Sequence, residues 1–323
     1  MVDYFLMRKI RPLLPALFLL ILCGCMKPSD PFKPQLFFSV QDRYLKELPS
    51  PFPPLTHAER STPWGQELVI AQKFAEELDL YRAITNFKRS LYLLPVGHQS
   101  RLQEIEYQML LSYYLGKRYE QVIYEFSRSS LEKATKTFPA YHDLLVILYE
   151  SYLKIGEPQK ANFLLDVMKE EDQQAASRLE LSQALLEGNL SALQKAPLEN
   201  EERGSIQALI KAYEAKKKSA TKAQCLNALL PGAGYFYLGQ KQSAATALML
   251  NSLFIWASAH FYSKGNYGAA LICASFEAGW YFGGIYGAGE SAKLYNERLY
   301  EKMAYPILKH ERYFPVLMLK YGF

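Results

Sequence analysis

The chain has 323 residues, half of them apolar, 21% charged, with a net charge of +5. That is room for one or two domains with a sizeable core, and too small an excess of charge to read as a polyanion binder. The four cysteines, Cys23, Cys25, Cys225 and Cys273, form no CxxC pair and no Cys/His cluster, which argues against a disulfide framework or a zinc site. The dense basic cluster Lys216, Lys217, Lys218 and Lys222 adjoins an apolar block. It suits anionic lipid headgroups, or simply a solvated helix end, and no stacking platform or groove-reading motif marks a nucleic-acid partner.

In chain order, Arg8, Lys9 and Arg11 precede an apolar run, Leu13 to Leu22, that is too short to span a bilayer comfortably. Leu22, Cys23, Gly24 and Cys25 follow. This order resembles the bacterial lipobox: an aliphatic residue, two small ones, then a cysteine whose thiol can carry a diacylglycerol thioether. The resemblance implies a signal peptide over residues 1–24 and a lipid anchor, palmitate or a similar acyl chain, on Cys25. The alternatives are a plain secretory signal and an uncleaved anchor helix. Val2 is not the glycine that myristoylation needs. Met26, following the cysteine, lacks the aspartate of inner-membrane retention and leans toward the outer membrane.

Residues 25–63 form a linker carrying eight prolines, from Pro28 to Pro63. Proline fixes φ and removes a donor, so neither helix nor central strand persists there. From Trp64 to Pro95 helical periodicity is broken by a turn near Asp79–Tyr81. Phe74, Ala83, Phe87 and Pro95 fall in the aromatic, alanine, aromatic and proline register of a tetratricopeptide unit, which this stretch resembles. Weaker units follow at Tyr113, Tyr119, Val122 and Phe126, and at Tyr152, Ala161 and Leu165. A shorter pair spans Ala175–Ala196, broken at Gly188-Asn189, and a last helix runs from about Asn200 to Lys217. The resemblance implies a helical repeat domain, residues 64–217, with a concave binding face; an unrelated helical bundle is the alternative. Of its many tyrosines, Tyr113 and Tyr152 are expected in the core, and others can line a peptide-binding groove.

Residues 218–303 are expected as a hydrophobic, transmembrane helical hairpin. Pro231, Gly232, Gly234, Tyr237 and Gly239 resemble the PGxGxxYxG opening of small bacterial helical-hairpin membrane domains, with Tyr235 where glutamine is usual. The resemblance implies architecture, not chemistry: Pro231 and the glycines break a short helix so that it re-enters or lies at the interface. Ser243 to Tyr262 is uncharged and long enough to cross a bilayer; Ser263 to Asn266 makes the turn; Tyr267 to Gly289 is the second run. Two small-residue rows, Ala270, Ala274, Ala278 and Gly279, Gly283, Gly287, recur every four residues and so line helix faces that another helix can approach closely. Glu277 lies at depth in the second run, where a carboxylate must be neutral, paired or turned inward, with Asn251 and His260 as candidate partners. Residues 304–323 are a tail. Its last apolar residues alternate (Leu317, Leu319, Tyr321, Phe323) as in an outer-membrane barrel strand, but no barrel precedes them.

No phosphate loop, HExxH or GxSxG motif appears, and the acidic runs fall on expected exposed faces, so neither an enzyme nor a cofactor is expected. The sequence therefore reads as all-α: a tetratricopeptide-like repeat domain followed by a membrane hairpin. The expected function is a membrane-anchored scaffold lipoprotein that binds membrane lipid and a protein or peptide partner in the bacterial cell envelope, its repeats periplasmic. The alternative is a homo-oligomeric pore or transport component built from the glycine-row hairpin. Helical hairpins are usually inner-membrane structures, against the lean of Met26, and the sequence leaves the membrane undecided.

Overall fold

The structure, a computed structural model, describes residues 32–38, 46–196 and 200–323; the signal segment and Cys25 lie outside them. Every regular element among the described residues is helical. The chain forms two compact units, Leu36–Ile206 with Ala304–Phe323, and Gln207–Met303 with the residues up to Gln35. The first division falls inside a helix, ahead of the expected boundary at 217.

In the first unit a one-turn helix, α1 (His57–Arg60), is held by a capping box in which the Thr56 hydroxyl and the Glu59 carboxylate serve each other's backbone. Helix pairs follow: α2 (Pro63–Glu76) with α3 (Leu80–Leu93), α4 (Gln99–Leu115) with α5 (Tyr119–Phe126), α6 (Tyr141–Lys154) with α7 (Pro158–Glu171), and α8 (Gln173–Glu187) with α9 (Leu190–Lys195). Each turn is made the same way. The amide of the residue opening the second helix donates back to a carbonyl in the last turn of the first: Asp79 to Phe74, Arg118 to Tyr113, Glu157 to Tyr152 and Asn189 to Ala184, all at 2.9 Å. This bond satisfies an orphan carbonyl at the helix end. It requires a left-handed residue beside it, taken by Leu78, Lys117, Gly156 and Gly188.

Phe74, Tyr113 and Tyr152 recur at equal intervals, as do Ala83, Val122 and Ala161, and Phe87, Phe126 and Leu165. Ala83, Val122 and Ala161 are fully buried, so a small or β-branched side chain stands in each pair at the same place. Helices α4 and α6 carry the core: from Glu104 to Leu115 and from Asp143 to Tyr149 every residue is buried. One ion cluster secures the proline-rich entry. The Arg101 guanidinium donates to both Glu59 carboxylate oxygens (2.9 and 3.1 Å), to Glu104 (2.6 Å) and to the carbonyls of Pro53 (2.8 Å) and Pro54 (3.2 Å). Bonding to Arg101 holds the Glu59 carboxyl down at about 2, while burial pushes Glu104 up.

The last residues do not stand apart from this unit, as the expected 304–323 division has them. Tyr313, Phe314, Leu317 and Leu319 are buried within it. Tyr313 to Leu317 are buried without a break, so the apolar character of the tail is burial within this unit and needs no barrel to explain it.

The second unit contains α10 (Asn200–Lys216) from Gln207 onward, α11 (Ala220–Leu229), α12 (Ala233–Tyr237), α13 (Lys241–Ser263) and α14 (Tyr267–His310) as far as Met303. Helices α13 and α14 form the hairpin, turning at Lys264–Asn266, with Phe254 and Phe276 stacked across it at 6.0 Å. Phe32, Tyr213 and Tyr300 make a ring cluster, each pair 5.6 to 6.2 Å apart. Pro306 interrupts the ladder of α14 just beyond the unit boundary.

Candidate membrane surface and partner-binding hollow

The PGxG opening is a packing knot. Asn227, 2% exposed, closes the turn after α11 by accepting the Gly232 amide at 2.9 Å. Gly232 has φ +96° and Gly239 φ +80°, a region that disfavours side chains. A Cβ on Gly232 would lie 2.4 Å from the Ala244 carbonyl oxygen, and one on Gly234 2.3 Å from that of Ala223. These glycines let α12 lie directly against α11 and the start of α13. Tyr237 stands under two lysines, with the Lys218 and Lys222 ammonium groups 4.6 and 5.2 Å from its ring centre. Half of the expected basic cluster is therefore spent on the motif's own tyrosine. The Asn296 side chain accepts from the Lys218 amide (2.7 Å) and donates to its carbonyl (2.8 Å).

The row of small residues that packs inside this unit differs from the expected one. Gly284, Ala288 and Ala292 face α11 and α12: Ala288 and Ala292 are fully buried beside Ala223 and Leu238, and Gly284 approaches the Asn227 side chain. Of the expected row, Gly287 meets the Tyr235 hydroxyl, whereas Gly279 and Gly283 have nothing within 4 Å of where a Cβ would stand. Ala270 is buried, Ala278 half-buried and Ala274 exposed. The Tyr281 hydroxyl donates to the Ala228 carbonyl at 2.7 Å.

Among the described residues, α13 alone is long and apolar enough to cross a membrane by length and composition, and only 6% of its most apolar stretch is buried within the chain. The second expected span does not meet that measure; it is the first half of a helix 44 residues long that continues into charged turns. Leu248, Met249, Leu253, Ile255 and Trp256 on α13, and Leu271, Ile272, Phe276 and Trp280 on α14, are exposed. Neither Asn251 nor Glu277 finds the partner expected for it. Asn251 is 4% exposed and donates to the Ala247 carbonyl (2.6 Å), but its Oδ1 and the Glu277 Oε2 are buried without a hydrogen bond. The His260 ring stacks on Trp256 instead.

On the repeat unit, α3, α4 and α5 enclose an open hollow of about 580 Å³ lined by Tyr81, Ile84, Thr85, Lys88, Arg89, Tyr92, Leu93, Tyr113 and Arg118. Tyr81 and Tyr92 are 80% and 90% exposed, whereas Tyr113 is buried as expected. Lys88 pairs with Glu125 (2.7 Å) and Arg89 with Glu67 (2.6 Å), while the Arg118 guanidinium lies 5.9 Å from the Tyr113 ring centre. Aromatic rings with a cationic rim suit a peptide bearing aromatic and acidic groups. A second cleft of about 260 Å³ lies between Phe37, Leu186, Val316 and α4. At its polar end the Tyr114 hydroxyl donates to Glu150, whose carboxyl burial pushes up. No three His, Cys, Asp or Glu among the described residues stand close enough to hold a metal ion. His98 caps α4 and packs its ring on Trp64, and His142 is held neutral more readily by burial.

Two features escaped the sequence reading. One is Arg101, whose importance lies in partners from distant segments. The other is Asp143, an acid directly before the apolar run Leu144–Leu148, a placement that by itself signals a buried carboxylate. No protein-family model, curated protein or solved structure matches the chain, and what it does rests on its own residues.

Proposed function

We propose that the chain is a membrane-anchored helical scaffold of the bacterial cell envelope: a lipoprotein lipidated at Cys25, with tetratricopeptide-like repeats that bind a protein or peptide partner. The observation that carries the membrane part is the bare apolar surface of α13, which calls for lipid or another apolar cover. The equal spacing of the helix pairs supports the repeat reading, although the interval exceeds the ~34 residues of a tetratricopeptide unit. The hollow at Tyr81 and Tyr92 is the partner surface. The test is fractionation of a Cys25→Ser variant with a carbonate wash, joined to capture of partners by the wild-type chain and a Tyr81→Ala/Tyr92→Ala variant. Retention in the membrane and loss of captured partner in the double variant are expected. Release of Cys25→Ser into the wash would remove the hairpin as an anchor, and capture indifferent to both tyrosines would remove the hollow.

A second reading, a homo-oligomeric membrane component, is favoured by the open Gly279 and Gly283 positions together with the unpartnered oxygens of Asn251 and Glu277. A second copy would supply close helix contact at the two glycines, and a rearrangement on association would bring donors to the two oxygens. Crosslinking in membranes that yields monomer alone, for wild type and Glu277→Gln alike, would end this reading.

A further inference from the structure

The final residues cross the repeat unit in the reverse order of its helices, through one 3-10 turn at Pro315–Leu317 and then without regular structure from Leu319 to Phe323. The Arg178 side chain on α8 binds the Glu311 carbonyl and lies over the Tyr313 ring, 5.0 Å from its centre. On α6, the Asp143 carboxylate accepts the Lys320 amide on both oxygens (3.0 Å each) and the Tyr321 amide at 2.8 Å. The Gly322 amide donates to the Pro49 carbonyl at 3.0 Å, and the Phe323 ring stacks on Phe87 of α3 with centres 6.5 Å apart. Leu317 and Leu319 are buried between these points.

This is how a groove holds a peptide: main-chain amides satisfied by the receptor, with apolar side chains set into the surface on either side of them. Three consecutive amides are read without regard to side chain. Asp143 is fully buried, and its carboxylate accepts from the tail amides and from the Tyr107 hydroxyl, at 3.5 Å. With the tail withdrawn, that carboxylate would keep only the Tyr107 hydroxyl among these donors, an unfavourable state that any chain presenting amides in the same register relieves.

We propose that this channel is a peptide-binding groove occupied here by the chain's own tail, and that it accepts in trans an uncharged-to-basic peptide with an apolar stretch before the amides bound by Asp143 and an aromatic ring two places after them. The proposal rests on the scaffold reading and names a second partner class for it, at a place distinct from the Tyr81–Tyr92 hollow.

The test uses the full chain in detergent and a fluorescent peptide of residues 313–323, YFPVLMLKYGF, followed by anisotropy. In the wild type the tethered tail competes at an effective concentration of order mM, so the peptide binds weakly. Phe323→Ala loosens the tail and raises the apparent affinity by about 10-fold, since the wild-type groove is mostly closed to outside peptide. Adding Asp143→Asn, which leaves one acceptor oxygen for the same amides, lowers it again by about 5-fold. If Phe323→Ala keeps its helical circular dichroism yet binds no better than wild type, or if its gain ignores Asp143→Asn, the groove is a fixed part of the core and the proposal is overturned. Loss of cooperative unfolding in Phe323→Ala overturns it equally. Anisotropy reads the groove alone, so failure here with intact capture at the tyrosine hollow leaves the scaffold reading standing.

Discussion

Substituting alanine at five glycines of the membrane unit separates packing within one chain from packing between chains. At Gly234 a Cβ would stand 2.3 Å from the Ala223 carbonyl oxygen and 2.9 Å from the Ala288 and Asn227 Cβ atoms, more than an ångström inside the ~3.5 Å of favourable contact. The obstacle is backbone, which does not turn aside, so the upper part of the overpacking range applies, about 3 kcal/mol. The helical position returns roughly 0.5–1 kcal/mol of that, leaving a net loss of about 2 kcal/mol. Gly232→Ala adds strain of about 1–3 kcal/mol from its φ of +96° to a similar clash with the Ala244 carbonyl, for a loss of about 3–5 kcal/mol. Gly239 has the positive φ but open space, so Gly239→Ala loses only about 1–2 kcal/mol. Gly279→Ala and Gly283→Ala meet nothing and gain slightly from helix propensity. The assay is thermal unfolding of the full chain, dilute in mild detergent, followed by far-ultraviolet circular dichroism. The expected order of stability is Gly279→Ala and Gly283→Ala at or above wild type, then Gly239→Ala, Gly234→Ala and Gly232→Ala. A Gly279→Ala chain as unstable as Gly234→Ala in the dilute sample would refute this account of the fold. Destabilisation of Gly279→Ala only where the chain self-associates would instead favour the oligomeric reading.

Other outcomes follow from buried polar groups. Arg101→Ala leaves the buried Glu104 carboxylate without its cationic partner and is expected to lose about 3–5 kcal/mol, measured by denaturant unfolding. Burial raises the Asp143 carboxyl from its ordinary 3.8 to about 6. At Asp143 the folded chain therefore binds the proton more tightly than the unfolded chain, so the contribution of this group to stability is fullest below pH 4 and falls by about 3 kcal/mol as pH rises past 6. The difference in unfolding free energy between wild type and Asp143→Asn, measured by denaturant unfolding at pH 4 and pH 7, should change by that amount; a constant difference would refute the assignment. Tyr281→Phe removes the bond to the Ala228 carbonyl and should lose about 0.5–1.5 kcal/mol without altering helix content.

Elements set by neighbours in sequence were legible early. The helix pairs and their breaks at Asp79, Gly116-Lys117, Gly156 and Gly188-Asn189 stand where local turn chemistry puts them, because closing a helix end needs only the residues on either side of it. The hairpin turn at Ser263–Asn266 was readable for the same reason, and the apolar content of α13 marked it as a membrane candidate. Spacing every four residues points to rows of small residues on α14, but it cannot tell one face of a helix from the next.

Which row packs was decided by α11 and α12, whose Asn227 and Ala223 select Gly284, Ala288 and Ala292 and leave Gly279 and Gly283 bare. The tail was likewise beyond local reading. Its apolar residues say that it is covered but not by what, and only the fold brings Asp143, Pro49 and Phe87, far apart in the chain, into one line to receive it. Composition and short-range turn signals thus determined an all-helical chain with paired helices and one strongly apolar arm. Tertiary structure decided what each face touches, because a contact between distant segments depends on the placement of both and is written in neither alone.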